Sequence, residues 1–261
     1  MADSDIDIIA KSKKYWNEFS EEYFQDTSIS IEDFHYGPLL PGNSALHLLP
    51  EISSTTKCLE IGCGGAQNSI YLNLRGAQCI ALDVAEEQID YAHKLCTSSN
   101  ATVKLLTMAM ENLNTIDDNE FDLIHSTYGL CFSPNPGLVI SQASKLLKRG
   151  GILLISLPHP LSAGEPLELD NDYGVFISNG YTPTPDCRFD ENGTEQVRSF
   201  FHSFSTMSEW MTNANLVIQS INEPKLANPP DSAPFQCPQW EEYRPLFEKI
   251  PGTVIIKATK V

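Results

Sequence analysis

Cys58-Leu59-Glu60-Ile61-Gly62-Cys63-Gly64-Gly65-Ala66-Gln67 is a short apolar run closed by a glycine cluster. Residues 57–61 read as a buried strand, and residues 66–74 resume as a helix. Glycines between them let the backbone turn sharply and approach a ligand that a Cβ would exclude. The pattern then repeats downstream. Residues 77–82 form a second strand ending at Asp83, and residues 85–96 a second helix. Strands follow at 103–108 and 121–126, a helix at 138–147 and a strand at 151–157. Strands separated by helical segments imply right-handed crossovers and a parallel, doubly wound sheet.

Outside this block the texture differs. Residues 6–26 read as a helix, with Tyr15, Phe19 and Tyr23 at four-residue steps beside Trp16. His35-Tyr36-Gly37-Pro38-Leu39-Leu40-Pro41-Gly42 is a punctuated link to a short helix ending at Leu49. Residues 158–200 are rich in Pro, Gly, Asp and Asn with little periodicity, which predicts an insertion or lid. Residues 207–215 then read as a helix, with strands at 216–221 and 253–260. The expectation is an α/β fold built on a seven-stranded, mostly parallel sheet.

Charge narrows the function. Among 261 residues, 34 are acidic and 17 are Lys or Arg, a formal charge of -17. That field repels phosphate backbones and anionic lipid, and no compensating basic patch is present, so neither nucleic acid nor membrane is an expected partner. The seven cysteines are odd in number and scattered without a CxxC pair, which points to a reducing, cytoplasmic setting and no metal site. No stretch approaches the roughly 18 to 20 apolar residues of a membrane span.

The glycine loop could serve a dinucleotide, but a GxGxxG pattern would need glycine where Gln67 stands. Glu60 also puts a carboxylate where pyrophosphate is unwelcome. A carboxylate there suits cationic groups instead, such as the amino-acid end and sulfonium of S-adenosylmethionine. Asp83, ending the second strand, can accept hydrogen bonds from both hydroxyls of a ribose.

At this point the motifs resemble those of the class I S-adenosylmethionine-dependent methyltransferases. Residues 59–69 are similar to their first motif and Ala81-Leu82-Asp83-Val84 to their second. Glu111-Asn112-Leu113 and Phe121-Asp122-Leu123-Ile124 resemble the third and fourth, and Lys148-Arg149-Gly150-Gly151 the turn before strand five. The resemblance implies S-adenosylmethionine as cofactor and S-adenosylhomocysteine as product, and with no metal-ligand cluster apparent in the sequence no metal is expected. It implies cofactor contacts at Glu60, Gly62, Cys63, Gly64, Gln67, Asp83, Val84, Met110, Glu111 and Ser126. It also implies a helical lid over residues 1–50 and a methyltransferase domain over 51–261, with a cap at about 160–205. Two departures stand out. Ala66 replaces a third loop glycine and is expected in a right-handed conformation. Ala109 replaces an acidic residue that often binds the adenine amino group, which leaves the backbone near Met110 and Glu111 to do so.

The ends of strands four and five should face the methyl group, since ligands sit outside the carboxyl ends of such strands. His159, between two prolines, is the candidate general base there and a candidate substrate contact. Tyr15, Tyr23, His35, Tyr36, Tyr128 and His202 are further candidate substrate contacts. Aromatic residues of the cap (among them Tyr173, Phe176, Tyr181, Phe201 and Trp210) suggest a pocket for an apolar, ring-containing metabolite. The expected activity is methyl transfer to oxygen or nitrogen of such a molecule. The alternatives are a protein or RNA methyltransferase, or a regulatory protein that binds the cofactor without turnover.

Overall fold

A computed structural model describes residues 4–117, 120–162, 167–170, 174–177 and 185–261. Its seven-stranded sheet contains β1 (Lys57–Ile61), β2 (Gln78–Asp83), β3 (Val103–Thr107), β4 (Phe121–Thr127), β5 (Leu147–Pro158), β6 (Leu216–Asn222) and β7 (Thr253–Lys260). The strand order is β6-β7-β5-β4-β1-β2-β3. All neighbours are parallel except β7, which runs antiparallel to both β5 and β6. The chain therefore winds outward from β1 through β2 to β3, then returns to lay β4 on the other side. The reversal between β1 and β4 opens a crevice at their carboxyl ends.

Helices cover both faces: α1 (Asp5–Asp26), α2 (Gln67–Asn73), α3 (Glu86–Ser99), α4 (Pro136–Leu146) and α5 (Phe204–Asn213). One apolar layer joins Leu59, Ile61, Leu82, Ile124 and Leu153 to α4 and α5 through Val139, Ile140, Met207 and Met211. The opposite layer packs Cys58, Cys79 and Leu123 under Phe34, Tyr36 and Tyr71. Burying strands on both sides is why they read as near-continuous apolar runs.

α1 starts with a capping box, in which Ser4 Oγ accepts the Asp7 N–H and the Asp7 carboxylate accepts the Ser4 N–H, both at 3.3 Å. Its aromatic face packs internally and outward: Trp16 meets Phe132 edge-on, and Phe24 stacks on Tyr91 of α3 at 3.5 Å. The ion pair of Lys13 with Glu86 ties the same two helices together.

Two expectations need correction. β5 begins at Leu147, not at residue 151, because Leu147 pairs with Phe121 across a register shift that Gly150 permits at φ +79°. The segment expected to be irregular carries two hairpins, Leu167–Asp170 with Gly174–Ile177 and Asp186–Phe189 with Glu195–Ser199. Their strands are too short to show a period of two. The second hairpin is turned by Asp190, whose Oδ1 accepts the N–H groups of Asn192 and Thr194 at 2.9 and 2.8 Å. A two-residue ladder between Ser28–Ile29 and Phe235–Gln236 was also illegible for the same reason, and it fastens the N-terminal link to a distant loop. Tyr173 and Tyr181, named as cap aromatics, lie outside the described residues.

Candidate active site

A cavity opens at the β1–β4 crevice. Its floor is the glycine loop. Gly62, Gly64 and Ala66 all take left-handed conformations, at φ +66°, +52° and +58°. The expectation of a right-handed Ala66 is therefore wrong. Three such residues in five turn the chain tightly enough for Ala66 N–H to reach Cys63 O at 2.8 Å, and alanine carries its share of that strain. Gly62 lies so close to Gly129 that a Cβ added to either would meet the other's Cα at 2.9 Å.

Asp83 holds the loop from below. Its Oδ2 accepts the Gly64 N–H at 2.9 Å and its Oδ1 the Ala85 N–H at 3.0 Å. Burial raises its pKa, and those backbone donors partly offset the rise. A carboxylate can accept more bonds than these, and Asp83 lines the cavity. Glu60 is nearly fully buried and accepts the Ser69 N–H at 3.0 Å. Burial pushes its pKa up to about 7, so a cation brought beside it would restore the ionised form.

Of the expected cofactor contacts, Glu60, Gly62, Cys63, Gly64, Gln67, Asp83, Val84 and Met110 line this cavity. Glu111 and Ser126 do not. The Glu111 carboxylate accepts the Ser133 hydroxyl at 2.6 Å, and Ser126 Oγ donates to Ile61 O at 2.7 Å. Both brace neighbouring strands and loops. The sequence reading missed Gln88, in the first turn of α3, whose buried amide lines the cavity with neither end hydrogen-bonded. Its position on the inner face of α3 was the available signal. Met108, Thr127, Trp16 and Phe235 were missed as well.

Among the expected substrate contacts, Tyr23, His35 and Tyr128 line the cavity. Tyr36 is buried elsewhere, its hydroxyl 2.7 Å from Asn43 Oδ1. Tyr15 accepts a hydrogen bond from Arg188 at 2.6 Å beyond the cavity's walls. His202 packs edge-on to Trp210 with ring centroids 4.5 Å apart. His159 is not brought to the cavity. Its Nε2 lies 2.6 Å from Glu223 Oε1, and its Nδ1 accepts the Leu161 N–H at 3.1 Å. Burial lowers its pKa, with Glu223 opposing the shift. A ring engaged on both nitrogens has no lone pair left for a substrate proton. His159→Ala should therefore lower stability by about 1–3 kcal/mol in urea denaturation, the scale of buried hydrogen bonds lost. Affinity for S-adenosylhomocysteine should stay unchanged, and a loss of binding at full stability would return His159 to the site.

Beyond Tyr128 and Phe132 a second cavity opens, walled by Phe201, Trp240 and Phe247 with Asp186, Arg188 and Glu242 at its sides. Tyr128 and Phe132 border both cavities. Tyr128 holds a left-handed backbone at φ +60°, and its hydroxyl shares a 2.5 Å hydrogen bond with Thr253. Its ring meets Trp240 edge-on at 5.7 Å. Among the described residues no group of three or more His, Cys, Asp or Glu is placed to hold a metal, and no helix is long and apolar enough to cross a membrane.

Residues 59–155 match the family model described as a methyltransferase domain. The chain is 26% identical over 228 residues to an uncharacterized protein of Haemophilus influenzae, spanning 83% of this chain and 85% of that one. It is 26% identical over 166 residues to the ubiquinone biosynthesis O-methyltransferase of Xanthomonas campestris, and the match spans 64% of either chain. It superposes on the S-adenosylmethionine-dependent methyltransferase of Mesorhizobium loti with a TM-score of 0.67 at 16% identity, over 83% of this chain and 96% of that one.

Proposed function

We propose, because the chain carries a class I S-adenosylmethionine-dependent methyltransferase domain, that it methylates an oxygen or nitrogen of a small, ring-containing metabolite. The single observation that carries this reading is the shared wall: Tyr128 and Phe132 separate the glycine-loop cavity from an aromatic one. The residues present suit the cofactor. A loop without side chains at Gly62 and Gly64, two buried carboxylates and an unpartnered Gln88 amide leave room and hydrogen-bonding capacity for a nucleoside with cationic groups. The cofactor would supply a methyl group activated by its sulfonium.

The protein's part is alignment and exclusion of water. Asp83 and Gln88 would hold the ribose, Met108, Met110 and Val84 the adenine, and Glu60 with the loop the amino-acid end. The aromatic walls of the second cavity would stack the acceptor's ring and aim it past Tyr128. A proton leaving the acceptor would pass to the carboxylates at the side of that cavity, Asp186 or Glu242, since His159 lies outside it. α1 and the hairpin of Asp186–Phe189 with Glu195–Ser199 would act as lid and cap. Arg188 donates to Tyr15, and Lys11 pairs with Glu195 at 3.5 Å, so the two already clasp each other. The ubiquinone-pathway relative is an O-methyltransferase by name, which favours a hydroxylated ring as acceptor.

The test is turnover with methyl-labelled S-adenosylmethionine against phenols, arylamines, unfolded protein and RNA. Label should enter a phenol or arylamine, with S-adenosylhomocysteine released in equal amount. Label entering only protein or RNA would overturn the small-molecule reading. The formal charge of -17 already disfavours RNA.

A further inference from the structure

The α-carboxylate of S-adenosylmethionine would bring a further negative charge into the glycine-loop cavity. Among the described residues lining that cavity there is no Lys and no Arg, while Glu60 and Asp83 both add negative charge. A carboxylate entering such a cavity is desolvated beside like charges, which costs free energy unless a donor meets it. One lining residue can donate and also bear positive charge. It is His35.

Its location is set by atoms far apart in sequence. The His35 N–H donates to Asn68 Oδ1 at 2.9 Å, and Asn68 Nδ2 returns a bond to His35 O at 3.0 Å. Asn68 Nδ2 also reaches Thr127 Oγ1 at 3.3 Å, at the carboxyl end of β4. His35 is thus clamped at the β1–β4 side of the crevice. Asp83 ends β2, on the other side of β1 in the sheet order. With the ribose at Asp83 and the adenine by Met108 and Met110 beyond β3, the amino-acid end must extend back toward β1 and β4. That is where His35 stands.

The ring is prepared for a partner it does not have. His35 is 7% exposed, and its Nδ1 is buried with no hydrogen bond. Phe235 packs edge-on with centroids 5.2 Å apart, fixing the ring plane. Burial holds the imidazole pKa down to about 3. An anion alongside would reverse that cost. Buried polar atoms are almost always paired, and this unpartnered ring nitrogen belongs to a residue that lines the cavity.

We propose that His35 binds the α-carboxylate of the cofactor through a ring N–H, and so selects ligands that carry the amino-acid end. The assignment rests on the methyltransferase reading above. It moves His35 from the acceptor to the cofactor.

The experiment compares two ligands by calorimetry: S-adenosylhomocysteine, which has the amino-acid end, and 5′-methylthioadenosine, which lacks it. In His35→Phe, affinity for S-adenosylhomocysteine should fall about tenfold or more, the scale of a charge-assisted hydrogen bond. Affinity for 5′-methylthioadenosine should stay within about twofold of the parent, and His35→Gln, which keeps a donor, should recover part of the loss. If both ligands weaken in parallel, or neither does, the assignment is overturned. Should His35→Phe fail to fold, the ring nitrogens of the parent protein decide by NMR. Their shifts should move with S-adenosylhomocysteine and not with 5′-methylthioadenosine, and equal response to both overturns the assignment. A parent protein that binds neither ligand refutes the methyltransferase reading itself, a separate result.

Discussion

Titrating Asp83→Ala with S-adenosylhomocysteine should show affinity reduced by about 10- to 100-fold, or about 1.5–3 kcal/mol. Two losses combine. The carboxylate at the end of β2 has acceptor capacity left over for ribose hydroxyls. It also accepts the Gly64 N–H at 2.9 Å, so its removal frees the loop that floors the cavity. Asp83→Asn separates these contributions, because the amide oxygen can still accept one backbone N–H but carries no charge. Its affinity should fall between the parent and Asp83→Ala. Parent-like binding by the alanine variant would remove the ribose assignment.

Gly129→Ala should damage the site although it adds only one methyl group. Gly129 has φ -69° and ψ -41°, a conformation that alanine adopts freely, so backbone strain contributes nothing. The added Cβ would instead lie 2.9 Å from both Cα and O of Gly62 and 3.0 Å from Ile61 O. Those are backbone atoms of β1 and its loop, which cannot rotate away as a side chain could. Overpacking of this kind costs about 1–3 kcal/mol. Relief by separating the ends of β1 and β4 would widen the crevice and misplace the glycine loop. Urea denaturation should show the stability loss, and calorimetry a parallel loss of cofactor affinity. Unchanged values in both would mean that the two loops move apart at no cost.

The elements around the glycine loop were legible because their signals are local. β1 spans Lys57–Ile61 and β7 Thr253–Lys260, as the apolar runs predict, and Asp83 ends β2. A strand buried on both faces and a turn built from glycines write themselves into a few adjacent residues. The cavity lining from Glu60 to Val84 followed, since the chain carries those side chains directly out of β1 and β2.

What the chain brings in from afar was not legible. Six histidines offer six candidates, and flanking prolines favoured His159. Packing instead pairs that ring with Glu223 from the end of β6 and leaves His35, from the N-terminal link, in the cavity. Gly129 shows the same limit: its dihedrals suit any residue, and only the approach of Gly62 forbids a side chain. The sequence by itself determined the sheet, its glycine turn and the carboxylates that leave its strands, because period and turn chemistry act between near neighbours. Tertiary structure alone decided which histidine faces the ligand and which glycine cannot change, because those depend on segments that meet only after the chain has folded.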